Sequence, residues 1–444
     1  MGFFLTLLYI ALALLSPEDL LPSLAPYRLQ LVVAIAAMLF SVPGLLDRRF
    51  SRTPQVYLLA GLLVTVAGSG VVSSMWIMGG GLALLRFLPA AMVFYLVVLN
   101  CQSLKRLRIV ASVVTGIAVL YIVQGGRAYL AGDTSSPLLQ VIPVSDGTVT
   151  FRMQGLGFLH DANELAQLLV MLLPFLWTRW RQNQHLQNVF LVIAPTTLFV
   201  WGIYLTHSRG AMVALVVILI LALRRRVGLV PTLVGAAVAA SLLLALNFSG
   251  GRDVSVQAGS DRFVLWGDGL EMFKQYPLLG VGFGNFGSRD FGHTAHNSFV
   301  VCLAELGIIG YSLWVGLIAF TLSGLNSLMA SLREEEPDVS PTTFEDGRAS
   351  DQDRADFDRW AIALQISLGG FLAAAFFLSR AYVLTLYLIL GMAVAIISLA
   401  SKEEEPIGGK SLGRLIRLTA ELEFAAIALV YIALRARSLF GAGS

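Results

Sequence analysis

Twelve long apolar runs decide what this chain can fold into. They fall near residues 3–15, 27–46, 55–77, 82–100, 108–124, 164–178, 188–206, 210–223, 228–246, 297–322, 360–378 and 381–400. They approach the roughly 20 residues that one helical span of a bilayer needs. None shows the period-two alternation of a barrel strand. Only 13% of the 444 residues are charged and 57% are hydrophobic. A soluble protein carries about 25% charged residues, and 31 Lys+Arg with 28 Asp+Glu cannot give this chain a polar skin. Collagen-like, disordered, disulfide-scaffold and ordinary cytosolic-enzyme classes are therefore excluded. The expected fold is an all-α polytopic integral membrane protein of about 12 transmembrane helices at that span length, forming a single transmembrane domain over 1–444 with no internal repeat. A net charge of +3 points to no nucleic-acid partner. Cys101 and Cys302 sit in or beside apolar stretches and read as small core residues.

Lys and Arg in the short loops set the orientation. Alternate loops carry Arg48, Arg49 and Arg52; Lys105, Arg106 and Arg108; Arg179 and Arg181; and Arg224, Arg225 and Arg226. These are assigned to the cytoplasm, together with the acidic loop 331–358 and the Lys402–Glu405 stretch, so both termini are expected there. The first run ends at Ser16-Pro17-Glu18-Asp19 without a basic start or a cleavage site, and is expected to be a retained helix. Within the tail 411–444, the apolar stretch 422–434 is flanked by arginines, and is either an interfacial amphipathic helix or a thirteenth span. The opposite, periplasmic face receives the long segments 125–163 and 247–296.

That face should be poor in arginine, yet Arg86, Arg152, Arg209, Arg262, Arg289 and Arg380 all map to it. Ser208-Arg209, Ser379-Arg380 and Ser260-Asp261-Arg262 each resemble an N-cap serine followed by a helix start. A cation in a first helical turn faces the positive end of the helix dipole. A bound anion reverses that penalty, because helix N-termini and guanidinium forks both suit phosphate oxygens. The bland alternative is that these arginines snorkel to lipid headgroups.

Segment 247–296 holds further candidates. Phe263, Trp266, Leu270 and Phe273 share one helical face, which predicts an amphipathic helix from Ser260 to Pro277 lying on the membrane surface. The run Gly280-Val281-Gly282-Phe283-Gly284-Asn285-Phe286-Gly287 has no preceding strand and is no dinucleotide fingerprint. It reads as a turn that lets backbone approach a ligand or another helix. His293-Thr294-Ala295-His296-Asn297-Ser298 directly precedes a span. A helix N-terminus disfavours imidazolium, so His296 is expected to be neutral and competent as a base. Its bland alternative is a helix cap. No Cys, Asp or Glu cluster accompanies the two histidines, so no metal site is expected.

Three other polar features have structural readings. Asp161 and Glu164 fit a capping box opening the sixth span, with Asn163 between them free to orient a ligand. Glu305 lies inside a span, where it needs a partner, and is assigned an interhelical role. The Asp-x-Asp patterns at 351–353 and 356–358 fall in the acidic loop and are assigned to a solvated face.

Four ordered pieces together resemble the O-antigen ligase family, which is related to the polymerases of surface polysaccharides. They are Arg152-Met153-Gln154-Gly155 through Asp161-Ala162-Asn163-Glu164; Ser208-Arg209-Gly210; Ser260-Asp261-Arg262 with Trp266 and Pro277-Leu278-Leu279-Gly280-Val281-Gly282; and His296-Asn297 with Glu305-Leu306-Gly307. The resemblance spans roughly 152–310, a little over a third of the chain. It implies a GT-C-like membrane glycosyltransferase of the bacterial inner membrane, without metal or other cofactor. The implied donor is an undecaprenyl-diphosphate-linked glycan. The implied acceptor is lipid A-core for a ligase, or a second lipid-linked glycan for a polymerase. Under it Arg209 and Arg262, with Arg86 and Arg380, would hold the diphosphate, and His296 would be the base. His293, Asn297, Arg152, Asn163 and Arg289 would position donor or acceptor. A small-solute transporter is the rival from another class. It predicts repeats and broken helices meeting at the midplane, whereas here the polar residues cluster at one face.

Overall fold

The computed structural model describes residues 1–45, 47, 52–143, 149–246, 248, 260–289, 294–334, 351–400 and 412–440. In chain order its main helices are α1 (Gly2–Leu15), α2 (Leu29–Leu45), α3 (Pro54–Ser74), α4 (Ile77–Asn100), α5 (Leu104–Ala131), α6 (Ala162–Trp177) and α7 (His185–Leu205). They continue with α8 (Arg209–Val227), α9 (Leu229–Ala245), α10 (Ser260–Gln275), α11 (Ser298–Glu334), α12 (Asp351–Ala375), α13 (Leu384–Ala400) and α14 (Leu412–Phe440). Among the described residues, six helices are long and apolar enough to cross a membrane, and four shorter ones are equally apolar. The protein is a mostly helical, multi-pass membrane protein. One departure from the all-α expectation is an antiparallel hairpin of β1 (Leu139–Pro143) and β2 (Val149–Met153), with Gln140 opposite Arg152.

The chain gathers into two compact units. The first is Met1–Leu46, Leu96–Asp253 and Asp346–Ala374; the second is Asp47–Tyr95, Val254–Glu345 and Ala375–Ser444.

The first unit is built around α6. Its 16 residues are apolar on nearly every side, and it is buried along almost its whole length. The α12 hydroxyl of Ser367 donates to the carbonyl of Met171 on α6 at 2.7 Å. Helices α5 and α7 cross closely because each offers a glycine. A Cβ on Gly126 would lie 2.3 Å from the Trp201 ring, and one on Gly202 would lie 2.7 Å from Ile122. Helix α7 carries a π-helical turn at Val189–Ile193, directly before Pro195. Proline has no N–H to donate and crowds the carbonyl four residues back, so a widened turn relieves that clash.

The second unit is built along α11, against which α3, α10, α13 and α14 pack. The tail is one 29-residue helix, α14, longer than the expected 422–434 piece. It runs antiparallel to α11: Thr419 meets Gly316, Glu423 lies beside Ser312, and Val430 packs with Val300, Val301 and Ala304. Its later turns therefore reach the same end of α11 as α10 does.

The acidic segment also differs from expectation. Residues 351–358 form the first turns of α12, and residues 335–350 lie outside the described residues. Asp356 is 6% exposed and ion-paired, so it does not belong to a solvated face.

Candidate functional site

Asn297, not His296, caps α11. Its Oδ1 accepts from the amides of Phe299 at 3.0 Å and Val300 at 3.3 Å. His296 immediately precedes the cap, exposed and in the left-handed region at φ 48°. That conformation costs an L-residue roughly 1–2 kcal/mol and persists only where neighbours over-determine it. The neighbours are in place. The Ala295 carbonyl accepts from Trp266 Nε1 at 2.8 Å. The Ser298 hydroxyl donates to the Leu378 carbonyl at 2.5 Å and accepts from the Arg380 amide at 2.8 Å. Thr294 Oγ1 donates to Ser379 Oγ.

These anchors tie the segments that bear Arg262 and Arg380 to the turn of His296. Arg262 sits one helical turn before Trp266 on α10. The expected surface helix is seated through Trp266, which is 4% exposed and packs edge-on against Phe263 and Phe376. Arg380 does not start a helix, contrary to expectation: it lies in the turn before α13, which begins at Leu384. Its backbone is tied to Ser298, two residues from His296. Arg86 is exposed on α4, its Nη1 3.6 Å from where a Cβ on Gly284 would stand. The adjacent Phe87 ring meets Phe283 at 5.9 Å and Tyr382 at 6.0 Å, which links Arg86 to the turn holding Arg380.

The glycine-rich run approaches another helix. α11 is broken at Gly307, where φ is 61° and ψ is −165°. A break inside a span leaves backbone groups unpaired, and the run pairs them. Ile308 N–H donates to the Pro277 carbonyl at 2.8 Å, and Ile309 N–H to the Leu278 carbonyl at 3.3 Å. In return, Val281 N–H donates to Ala304 and Gly282 N–H to Glu305, at 2.9 and 3.0 Å. The Glu305 carboxylate accepts from the Phe286 amide at 3.2 Å, so it steadies this turn. Only glycine fits at Gly280, where φ is 67° and a Cβ would lie 2.3 Å from the Glu305 carbonyl carbon.

The first unit holds a separate constellation. Ser208 caps α8 through the Ala211 amide, leaving Arg209 half-buried as the first helical residue. Arg152 is 4% exposed. Its Nε donates to the Thr206 carbonyl at 2.8 Å, its Nη2 to Asn163 Oδ1 at 2.9 Å and its Nη1 to Gln140 at 3.3 Å. Asp161 caps α6 through the Asn163 amide at 2.7 Å, one position earlier than a capping box would serve. Arg152 and Asn163 thus brace the hairpin against the ends of α6 and α7. His207 is a further residue of this constellation, one that the apolar pattern alone does not mark. It is buried at φ 48°, its Nε2 sharing a 3.0 Å hydrogen bond with the Tyr129 hydroxyl. The signal was available: His207-Ser208 and His296-Asn297 both place histidine directly before a helix cap.

His293 lies outside the described residues, as do the side chains of Arg289, Ser260 and Asp261. Among the described residues, no group of three or more His, Cys, Asp or Glu is arranged to hold a metal ion.

Residues 194–315 match a family model described as O-antigen ligase. The match covers a little over a quarter of the chain and includes Arg209, Arg262, the glycine run and His296. No curated protein matches the chain. Through this segment the chain is similar to the O-antigen ligase family.

Proposed function

We propose that this protein is an inverting, metal-independent glycosyltransferase of GT-C-like fold in the bacterial inner membrane. Its donor would be a glycan on undecaprenyl diphosphate, and its site would face the periplasm. The observation that carries this reading is the seating of His296. It is exposed, held in a left-handed turn, and anchored on both sides to the segments that bear Arg262 and Arg380.

In this reading His296 takes the proton of an acceptor hydroxyl as that oxygen attacks the anomeric carbon. The bond from that carbon to the diphosphate oxygen breaks, and undecaprenyl diphosphate leaves with the electron pair. Arg262, Arg380 and Arg86 of the second unit offset the charge growing on it. One displacement with one base inverts the carbon. Asn297 holds the turn on which His296 sits.

Lipid A-core is the acceptor we favour. The test is a reconstituted reaction with purified protein, lipid-linked glycan and lipid A-core, with and without EDTA. Ligase activity gives one glycan per core and survives chelation. Elongation of lipid-linked glycan without core would make the protein a polymerase. Activity lost to EDTA and restored by magnesium would overturn the metal-free mechanism.

A further inference from the structure

The first unit contains a cavity of about 280 Å³ far from Arg152 and His207, at the opposite ends of the same helices. It lies where the N-terminal half of α5, the end of α6, the start of α7 and the start of α12 meet. The loop charges assign this end to the cytoplasmic side. Three arginines line it, Arg108, Arg179 and Arg181, against one lining carboxylate, Asp356.

Asp356 organises the wall. It accepts from Arg108 at 2.5 Å and Arg359 at 3.2 Å, and stands 3.6 Å from Arg181. Arg181 is also fixed through its backbone: its N–H donates to Asn188 Oδ1 at 2.9 Å, and its carbonyl accepts from Asn188 Nδ2 at 2.6 Å. Arg179 reaches Ser112 Oγ at 3.2 Å. Each guanidinium has five donors, whereas one carboxylate offers about four acceptor sites. Counting the other charges of the first turns of α12, Asp351, Asp353, Asp358 and Arg354, leaves five arginines to four aspartates. The cluster keeps a positive excess and spare donors, the arrangement that a tetrahedral anion satisfies.

The apolar residues at the cavity show which anion fits. Leu191 lines it and is 39% exposed, and its neighbour Phe190 is 65% exposed, both on the π-helical turn of α7. Trp180, beside Arg179, is half-exposed, as aromatic residues at a headgroup boundary are. Phosphate donors thus share a cavity with Leu191, whose neighbour Phe190 presents an exposed apolar ring. We propose that this cavity binds the phosphate group of an anionic membrane lipid, with the acyl chains lying along Phe190 and Leu191. Free phosphate shares the headgroup chemistry but not the apolar contact.

The test uses the full chain in neutral detergent. Native mass spectrometry would measure retained phosphatidylglycerol against phosphatidylcholine for wild type, Arg179→Glu and the exposed control Arg333→Glu. Arg179 is outside the Asp356 ion pairs, so its replacement leaves them in place. Arg179→Gln serves if the charge reversal does not fold. Wild type and Arg333→Glu should retain phosphatidylglycerol, and Arg179→Glu should retain it about tenfold less, as loss of a charge-assisted contact implies. A parallel arm measures protection from thermal unfolding by inorganic phosphate. Protection by phosphate equal to that by phosphatidylglycerol, lost in Arg179→Glu, would transfer the site to free phosphate and overturn the lipid assignment. Equal retention by wild type and both Arg179 variants, or retention of phosphatidylcholine as strong as phosphatidylglycerol, would overturn the site itself.

Discussion

His296 holds a backbone conformation that asparagine or glycine would occupy more easily, so its imidazole needs a reason to be there. A general base supplies one. Replacing such a base costs about 10²–10⁴-fold in rate. His296→Ala should therefore fold normally and bind donor, yet transfer glycan slower by that factor in a single-turnover assay. Near-normal transfer would remove the base assignment, and a loss explained wholly by weaker donor binding would make His296 a holding group. Arg209→Ala and Arg262→Ala should each lower transfer by about 10²–10³-fold at unchanged folded yield, as loss of a group facing a developing anion does. Lysine should restore only part of it, because a point charge lacks the bidentate fork. Unaffected alanine variants would make these arginines headgroup anchors. Arg152 belongs to another category. It is buried and spends its donors on Thr206, Asn163 and Gln140. Arg152→Ala should lower stability by about 3 kcal/mol, as loss of a buried charged partner does, and is read as a fall in thermal midpoint. The places of His296 before α11 and Arg209 at the start of α8 were legible in the sequence because a polar residue at the edge of an apolar run marks that edge. The role of Arg152 was not, because its partners are 11 to 54 residues away along the chain.

At the scale of elements, the glycine run and the break in α11 form one device. Gly307 interrupts the helix, and segment 277–282 repairs the interruption with four backbone hydrogen bonds. A broken helix was expected only of a transporter. Here its freed groups are consumed by protein, and the break serves to hold the turn beside Arg86. The run itself was visible in the sequence, but its partner was not: nothing in an apolar period announces a break at Gly307, since its neighbours continue the hydrophobic pattern. Gly280→Ala and Gly307→Ala should each destabilise the protein by roughly 3 kcal/mol, combining overpacking with a left-handed backbone. A Cβ at either position would meet main-chain atoms at 2.3–2.7 Å, which cannot swing aside as a side chain would. Thermal unfolding in detergent checks this. Gly413→Ala is the contrast: nothing stands near a Cβ there, and the midpoint should not move. Helix α10 was read correctly from its period of Phe263, Trp266 and Leu270, but periodicity cannot say whether an apolar face meets lipid or protein. Trp266 answers it, because an indole N–H bonded to the Ala295 carbonyl is committed to the fold.

At the scale of the whole molecule, orientation rests on loop charge and on the direction of the last helix. Arginine-rich loops after the second, fourth, sixth and eighth helices assign one face to the cytoplasm. On that assignment the end of α11 is expected on the cytoplasmic face, and its start, with His296, on the other. Helix α13 runs along α11 in the same direction, with Ile397 against Gly324. From there α14 travels back along α11, with Thr419 beside Gly316 and Val430 among Val300, Val301 and Ala304. Its 29 residues rise about 43 Å at 1.5 Å each, ample for a bilayer. The residues after α14 should accordingly emerge on the periplasmic side, where the sequence alone had assigned them to the cytoplasm. Arg435 and Arg437 argue for the cytoplasmic side instead, so the two readings predict different labels. Cysteine labelling in intact cells measures it, and both native cysteines, Cys101 and Cys302, are buried and should stay silent. A membrane-impermeant maleimide should modify Ser255→Cys and Gly443→Cys but not Ser340→Cys. Labelling at 340 and not at 255 would invert the molecule and place His296 and its arginines on the wrong face for a periplasmic reaction. Labelling at 255 without 443 would keep the site where it is and stop α14 short of crossing.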